Sequence, residues 1–314
     1  MVCACKYRGQ ARLDGKTAIV TGSNTGIGKF TALDFVKRGA RVIIACRDTT
    51  KGEEAAKDIR KLTENVEGAG TVDVVCLNLG SLASVRKCAQ DLLRTEDKIH
   101  LLVNNAGVMA CPQGKTEDGF ETQFGVNHLG HFLFTCLLLN RIIRSAPARI
   151  VNVSSYGHVW GTMNFDDLNS ETSYSPSKAY AQSKLANVLF TKELARRLQG
   201  TGVTTYSLHP GAVKTELQRH LDDSFFKGAQ LIMAGLGKLF FKTPEEGAQT
   251  SIYCSVDENL ADKTGLYYSD CKEKAPSAKA CDPESALKLW EVSLKMVGLE
   301  DWDPVTADDH MLPS

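Results

Sequence analysis

The chain has 314 residues and balances 37 Lys and Arg against 37 Asp and Glu, a formal net charge of zero. That balance excludes the basic footprint of a nucleic-acid binder and the charge excess of an acidic disordered chain. With 43% apolar residues the chain can bury a large core, and its length fits one large domain or two small ones at ~100–200 residues each.

Residues 1–13, MVCACKYRGQARL, hold no apolar stretch of the kind a secretory signal needs. Cys3 and Cys5 stand beside Lys6 and Arg8, which admits S-acylation, although a frayed terminus is the simpler reading. Strand-length apolar runs then alternate with helix-length amphipathic ones. TAIVT at 17–21 leads through a glycine turn to a helix over 29–38. Strands at 42–46, 72–77, 101–103, 150–153 and 203–208 are separated by helical segments at 53–62, 82–94, 132–139 and 179–198. Short, near-continuously apolar strands separated by helices require a parallel sheet covered on both faces, the doubly wound α/β class. No linker divides the chain, so residues 14–300 are read as one domain and 301–314 as an acidic, mobile tail. The ten Cys are scattered, without CxxC or zinc spacing, so no metal site is expected and the compartment is reducing. No run reaches the length of a membrane span.

After the first strand comes Gly22-Ser23-Asn24-Thr25-Gly26-Ile27-Gly28. A glycine turn here lets backbone approach a pyrophosphate at a helix N-terminus, although its G-x-x-x-G-x-G spacing differs from the common G-x-G-x-x-G. The second strand ends Cys46-Arg47-Asp48, with a thiol where an NAD-binding protein carries its acid. Arg47 offers a fork suited to a 2′-phosphate and Lys29 adds charge, which favours NADP(H). The competing reading makes Arg47 an exposed strand-end charge and gives the ribose to Asp48.

A Tyr and a Lys four residues apart on one helix face can move a proton, the ammonium lowering the phenol pKa. Three pairs have this spacing: Tyr174/Lys178, Tyr180/Lys184 and Tyr268/Lys272. Pro176 places the first across a helix boundary, and the third leaves a β-like run for a polar loop. Only Tyr180/Lys184 lies inside a long helix.

With these residues in hand, the sequence resembles the short-chain dehydrogenase/reductases over nearly its whole length. The resemblance rests on TGSNTGIG (21–28), NNAG (104–107), VNHLGHF (126–132), VNVSS (151–155), YAQSK (180–184) and HPGAVKT (209–215). Within that group it is similar to the retinol dehydrogenases, through ACRD (45–48), TEDGFETQFGVNHLGHF (116–132) and LWEVSLKMVGLE (289–300). The resemblance implies Tyr180 as proton donor, Lys184 holding the nicotinamide ribose, Ser155 on the substrate oxygen and Asn127 supporting a water relay. It implies Asn105, Ala106 and Gly107 beside adenosine, and Pro210, Gly211, Val213 and Thr215 around the nicotinamide. Asn78, followed by Leu79, stands where the family carries an Asp facing adenine, an altered contact.

The segment 225–241, FFKGAQLIMAGLGKLFF, favours an apolar substrate beneath it, with ordinary core, a peripheral membrane face or a partner surface as competing readings. The resemblance thus implies an NADP(H)-dependent oxidoreductase interconverting retinal and retinol or a similar apolar aldehyde and alcohol. A broad carbonyl reductase is the alternative, and a silent NADP(H)-binding sensor the reading from another class. Homodimers and homotetramers are common in the superfamily. The expected location is cytoplasmic, soluble or peripherally membrane-attached, with mitochondria second.

Overall fold

The computed structural model describes residues 6–213 and 241–306. Eight strands form one sheet in the order β3-β2-β1-β4-β5-β6-β7-β8. They are β1 (Thr17–Thr21), β2 (Arg41–Cys46), β3 (Thr71–Cys76), β4 (Leu101–Asn104), β5 (Ala148–Val153), β6 (Val203–His209), β7 (Leu266–Ser269) and β8 (Lys272–Lys274). Every pairing is parallel except β7 with β8. Along β1 and β2 successive side chains enter opposite cores, Ile19 and Ile43 one, Ala18, Val20, Val42 and Ile44 the other. That alternation explains the continuous apolar runs: both faces are covered.

One face carries α1 (Gly26–Lys37), α2 (Thr49–Thr63) and α7 (Pro244–Val256). The other carries α3 (Leu82–Thr95), α5 (Gly130–Arg144), α6 (Pro176–Arg197) and α8 (Pro283–Met296). A three-residue helix, α4 (Thr122–Phe124), and a π-helical turn (Gly125–Leu129) lead into α5. Chain order reverses between β1 and β4, so a crevice opens at their carboxyl ends, where ligands bind in such sheets.

The doubly wound reading holds, with local corrections. The loop expected after Tyr268 contains β8, whose Lys-Glu-Lys sequence protects an exposed edge. The leader is tied down at its end, since Tyr7 donates its N–H to Gln249 and packs its ring on Tyr253. Trp302 and Val305, at the start of the expected tail, pack against the core. Cys46, Cys88, Cys111, Cys136 and Cys254 are buried thiols, whereas Cys76 is exposed. Among the described residues no helix is long and apolar enough to cross a membrane, and no His, Cys, Asp and Glu cluster could hold a metal.

Candidate active site

A cleft of about 1240 Å³ runs along the carboxyl edge of the sheet. At one end β1 delivers the glycine turn. Gly22 has φ of +63°, and a Cβ there would lie 2.8 Å from Ala106 Cα. A Cβ on Gly28 would lie 2.7 Å from the Gly22 carbonyl oxygen. Positions 22 and 28 are therefore closed to side chains, and Thr25, at the N-cap of α1, makes no side-chain cap bond to the first-turn N–H groups. An uncapped helix start beside backbone open to the cleft fits a phosphate. Asn24, Thr25, Gly26 and Ile27 line the cleft. Ser23 and Gly28 stand behind its wall, the Ser23 hydroxyl donating to the Val20 carbonyl at 2.7 Å.

Beyond this turn Arg47 is exposed on the cleft wall and, among the described residues, makes no hydrogen bond or ion pair. Cys46 stays a neutral thiol, since burial pushes its pKa up to about 11. Asp48 accepts the Lys51 backbone N–H as N-cap of α2, so its carboxylate has a structural task. The charge expected from Lys29 is spent on Asp58 at 2.6 Å, away from the cleft. Lys51 takes that place on the wall. The signal available for it was its place in the first turn of the helix that follows Arg47. Asn78 lines the cleft too, its amide bonded to Glu117 at 3.0 Å and its carbonyl to the Gly80 N–H, with Leu79 next to it. Asn105, Ala106 and Gly107 form the floor.

At the other end α6 begins with Ser175 in extended conformation and Pro176 in the first turn, which leaves Tyr174 outside the helix. Tyr174 instead donates to the Cys111 carbonyl at 2.7 Å, and Tyr268 is buried on β7. Of the three Tyr/Lys pairs only Tyr180 and Lys184 line the cleft. Ser155, just beyond β5, lies beside them: a Cβ on Gly157 would be 3.3 Å from the Tyr180 ring and 3.5 Å from Ser155 Oγ. Lys184 is 3% exposed and donates to the Val153 carbonyl at 3.2 Å. Burial lowers its pKa to about 8.

The phenol itself departs from expectation. Burial raises the Tyr180 pKa, and the hydrogen bond with Ser155 draws it only partly back. The Lys184 ammonium sits 5.7 Å from the centre of the ring and spends a hydrogen on Val153, so its pull does not outweigh burial here.

Asn127 lies on the π-helical turn behind the wall, not on it. Its amide donates to the Val108 carbonyl and to Ser183, both at 2.9 Å, and its carbonyl accepts the Val108 N–H. A Cβ on Gly107 would be 3.2 Å from Asn127 Oδ1 and 3.5 Å from Lys184 Nζ, which makes the two neighbours. Pro210, Gly211 and Val213 line the cleft after β6. Thr215 and most of 225–241 lie outside the described residues; Phe241 is on the wall.

Known proteins share this fold. Residues 16–224 match the family described as short chain dehydrogenase. The chain belongs to that family. Human retinol dehydrogenase 13 is 52% identical over 295 residues, covering 93% of this chain and 87% of its own. The structure of an uncharacterized protein from Mycobacterium paratuberculosis, 35% identical, matches with a TM-score of 0.72 over 92% of this chain and 95% of that one. The NADP complex of RhlG from Pseudomonas aeruginosa, 26% identical, matches with a TM-score of 0.64 over 83% of this chain and 96% of that one.

This short chain dehydrogenase is thus an oxidoreductase with retinol dehydrogenases among its relatives. Two features of its cleft were missed from sequence. Tyr156 and Trp160 stand at the mouth, 53% and 71% exposed and edge to face at 5.3 Å. Their short helical turn (Tyr156–Val159) is anchored by His158, which bonds the Ser155 carbonyl and the Ser277 N–H. His209 also lines the cleft, accepting the Tyr156 N–H. Burial and nearby Lys242 lower its pKa to about 4.

Proposed function

We propose that this protein interconverts an apolar aldehyde of the retinal class with its alcohol, using NADP(H). The observation that carries the reading is Ser155, Tyr180 and Lys184 on one wall of a cleft that ends at an uncapped helix start. The glycine turn would hold the pyrophosphate. Arg47 and Lys51, which line the cleft where Lys29 does not, would meet a 2′-phosphate, which Arg can bond in a planar fork.

When bound, the nicotinamide supplies or accepts the hydride at the carbonyl carbon. Tyr180 delivers the proton to the carbonyl oxygen in reduction and takes it in oxidation. Ser155, whose hydroxyl lies beside the Tyr180 ring, orients that oxygen. Lys184 uses one N–H on Val153 and keeps two for the ribose hydroxyls. Its charge also favours the phenolate that forms as the proton leaves. Asn127 acts from behind, holding Val108 and Ser183 so that the floor next to Lys184 keeps its shape.

Val108, Met109, Ala110, Tyr156, Trp160 and Phe241 give the substrate end an apolar and aromatic wall. Such a wall suits a polyene or ring rather than a sugar, since aromatic faces recognise flat apolar surface. The test is oxidation of NADPH and of NADH by the purified protein with all-trans retinal and a panel of other carbonyls. Retinal turnover preferring NADPH supports the proposal. Equal turnover of many carbonyls would point to a broad reductase, and NADPH binding without turnover to a sensor.

A further inference from the structure

Under the cleft floor a buried histidine connects two parts of the site that are far apart in sequence. Thr21 closes β1, and its hydroxyl oxygen accepts the N–H groups of Asn105 at 2.9 Å and Ala106 at 3.0 Å. The same oxygen lies 2.8 Å from His131 Nε2, while its other acceptor, the Val103 carbonyl, is 3.5 Å away. Across the ring, His131 Nδ1 lies 3.1 Å from the Asn127 carbonyl oxygen. A carbonyl can only accept, so Nδ1 carries the hydrogen. Burial, aided by the Lys184 charge, lowers the imidazole pKa to about 4, so the ring is neutral and has a single N–H. Nε2 therefore accepts, and the Thr21 hydroxyl donates to it. The bonds run in one direction, from the loop amides through Thr21 and His131 to Asn127.

Asn127 in turn grips Val108 by both backbone groups, at 2.8 and 2.9 Å. The floor segment 105–108 is thus held by Thr21 at one end and Asn127 at the other. Among the described residues His131 is the side chain bonded to both holders. It is 2% exposed and does not line the cleft, so it touches no ligand there. The π-helical turn carrying Asn127 is of a kind that concentrates at functional sites and departs from regular helix bonding, which leaves its geometry to be set by side chains such as this one.

We propose that His131 is a positioning residue: a neutral, single-tautomer strut that locks segment 105–108 between Thr21 and Asn127 and couples the glycine-turn end of the cleft to the Lys184 end. The consequence for NADP(H) rests on the function proposed above; the strut does not. Backbone amide hydrogen exchange of the ligand-free protein tests it first, because local opening is read there without any substrate. In Thr21→Val the Val108 amide exchanges about fivefold to tenfold faster, the loss of roughly one net hydrogen bond, although Thr21 does not touch Val108. In His131→Leu the Asn105 and Ala106 amides loosen to a similar degree, while Ile19 and Leu102 keep their protection. His131→Gln, which retains one donor and one acceptor, recovers most of it. The double variant is no worse than the worse single one, because both break the same chain. With NADPH and a carbonyl substrate, kcat falls by a comparable factor while the KM of the carbonyl stays within about twofold.

Wild-type exchange at Val108 in Thr21→Val, or additive effects in the double variant, overturns the strut. If His131→Leu does not fold, Thr21→Val decides alone. If the wild type turns over no carbonyl, the proposed function fails and the exchange result still stands or falls by itself.

Discussion

The two ends of the cleft are built from different materials. At the glycine turn backbone makes much of the surface: φ of +63° at Gly22, no room for a Cβ at Gly22 or Gly28, and first-turn N–H groups without a side-chain cap. Around Tyr180 the surface is side chain, mounted on β5 and α6, with a buried ammonium and a half-buried phenol whose pKa values are displaced by desolvation. Backbone recognises what every dinucleotide shares, because amides point wherever the turn sends them. Side chains supply what a particular reaction needs, because only they can titrate. Damage at the first end should therefore appear as lost affinity, and damage at the second as lost turnover.

The largest expected effect tests the second half of that contrast. Tyr180→Phe keeps the ring and loses the proton, so kcat falls by about 10²–10⁴ while the NADPH Kd stays within about twofold. Surviving turnover would remove the phenol from the chemistry and erase the distinction between the ends. Next is the far end, where Arg47→Ala with Lys51→Ala should weaken NADPH about 10- to 100-fold and leave NADH nearly unchanged, as fits lost charge-assisted bonds. Equal losses for both cofactors in a binding titration would return the 2′ position to Asp48.

A smaller effect is expected at the mouth. Trp160→Ala should raise the KM for retinal about fivefold and leave that for a short aldehyde alone, since the lost contact is aromatic surface. Parallel steady-state kinetics with the two aldehydes separate this from a general loss of activity. The smallest is a pH effect. The ordinary Lys pKa of 10.5 is lowered to about 8 at Lys184, so the ammonium is present below that pH and lost above it. The kcat/KM for NADPH, which reports groups of the free protein, should fall to about half its plateau near pH 8 and keep falling as pH rises. In Lys184→Arg the falling limb should disappear from the pH profile, whatever the residual rate.

Much of this arrangement was legible beforehand. The choice of Tyr180 over Tyr174 and Tyr268 followed from Pro176 and from helical length, both local properties, and α6 begins at that proline. The glycine turn was legible because few residues other than glycine tolerate Gly22's backbone conformation. Lys29 was expected on the cleft and Lys51, before the helix expected over 53–62, was not weighed, whereas α2 starts at Thr49 and carries Lys51 in its first turn. The partner that removes Lys29, Asp58, comes from the next helix, and nothing in the intervening sequence announces the pairing. Ser23 belonged to the expected glycine-turn site yet turns its hydroxyl inward to Val20. The sign of the Tyr180 shift was also hidden: spacing puts Lys184 one turn away, but burial depends on what the whole fold stacks around the ring.

By itself the sequence determined what depends on near neighbours: strand and helix order as far as β6, the glycine turn, and which tyrosine shares a helix face with a lysine. These are set by backbone sterics and by periods of two and 3.6 residues, which act over a few positions. Only the tertiary structure decided which charges stay free in the cleft, how burial weighs against charge at Tyr180 and Lys184, and that His131 bridges Thr21 to the turn of Asn127. Those outcomes depend on desolvation and on contacts between residues as much as 110 positions apart, which form only when both layers close on the sheet.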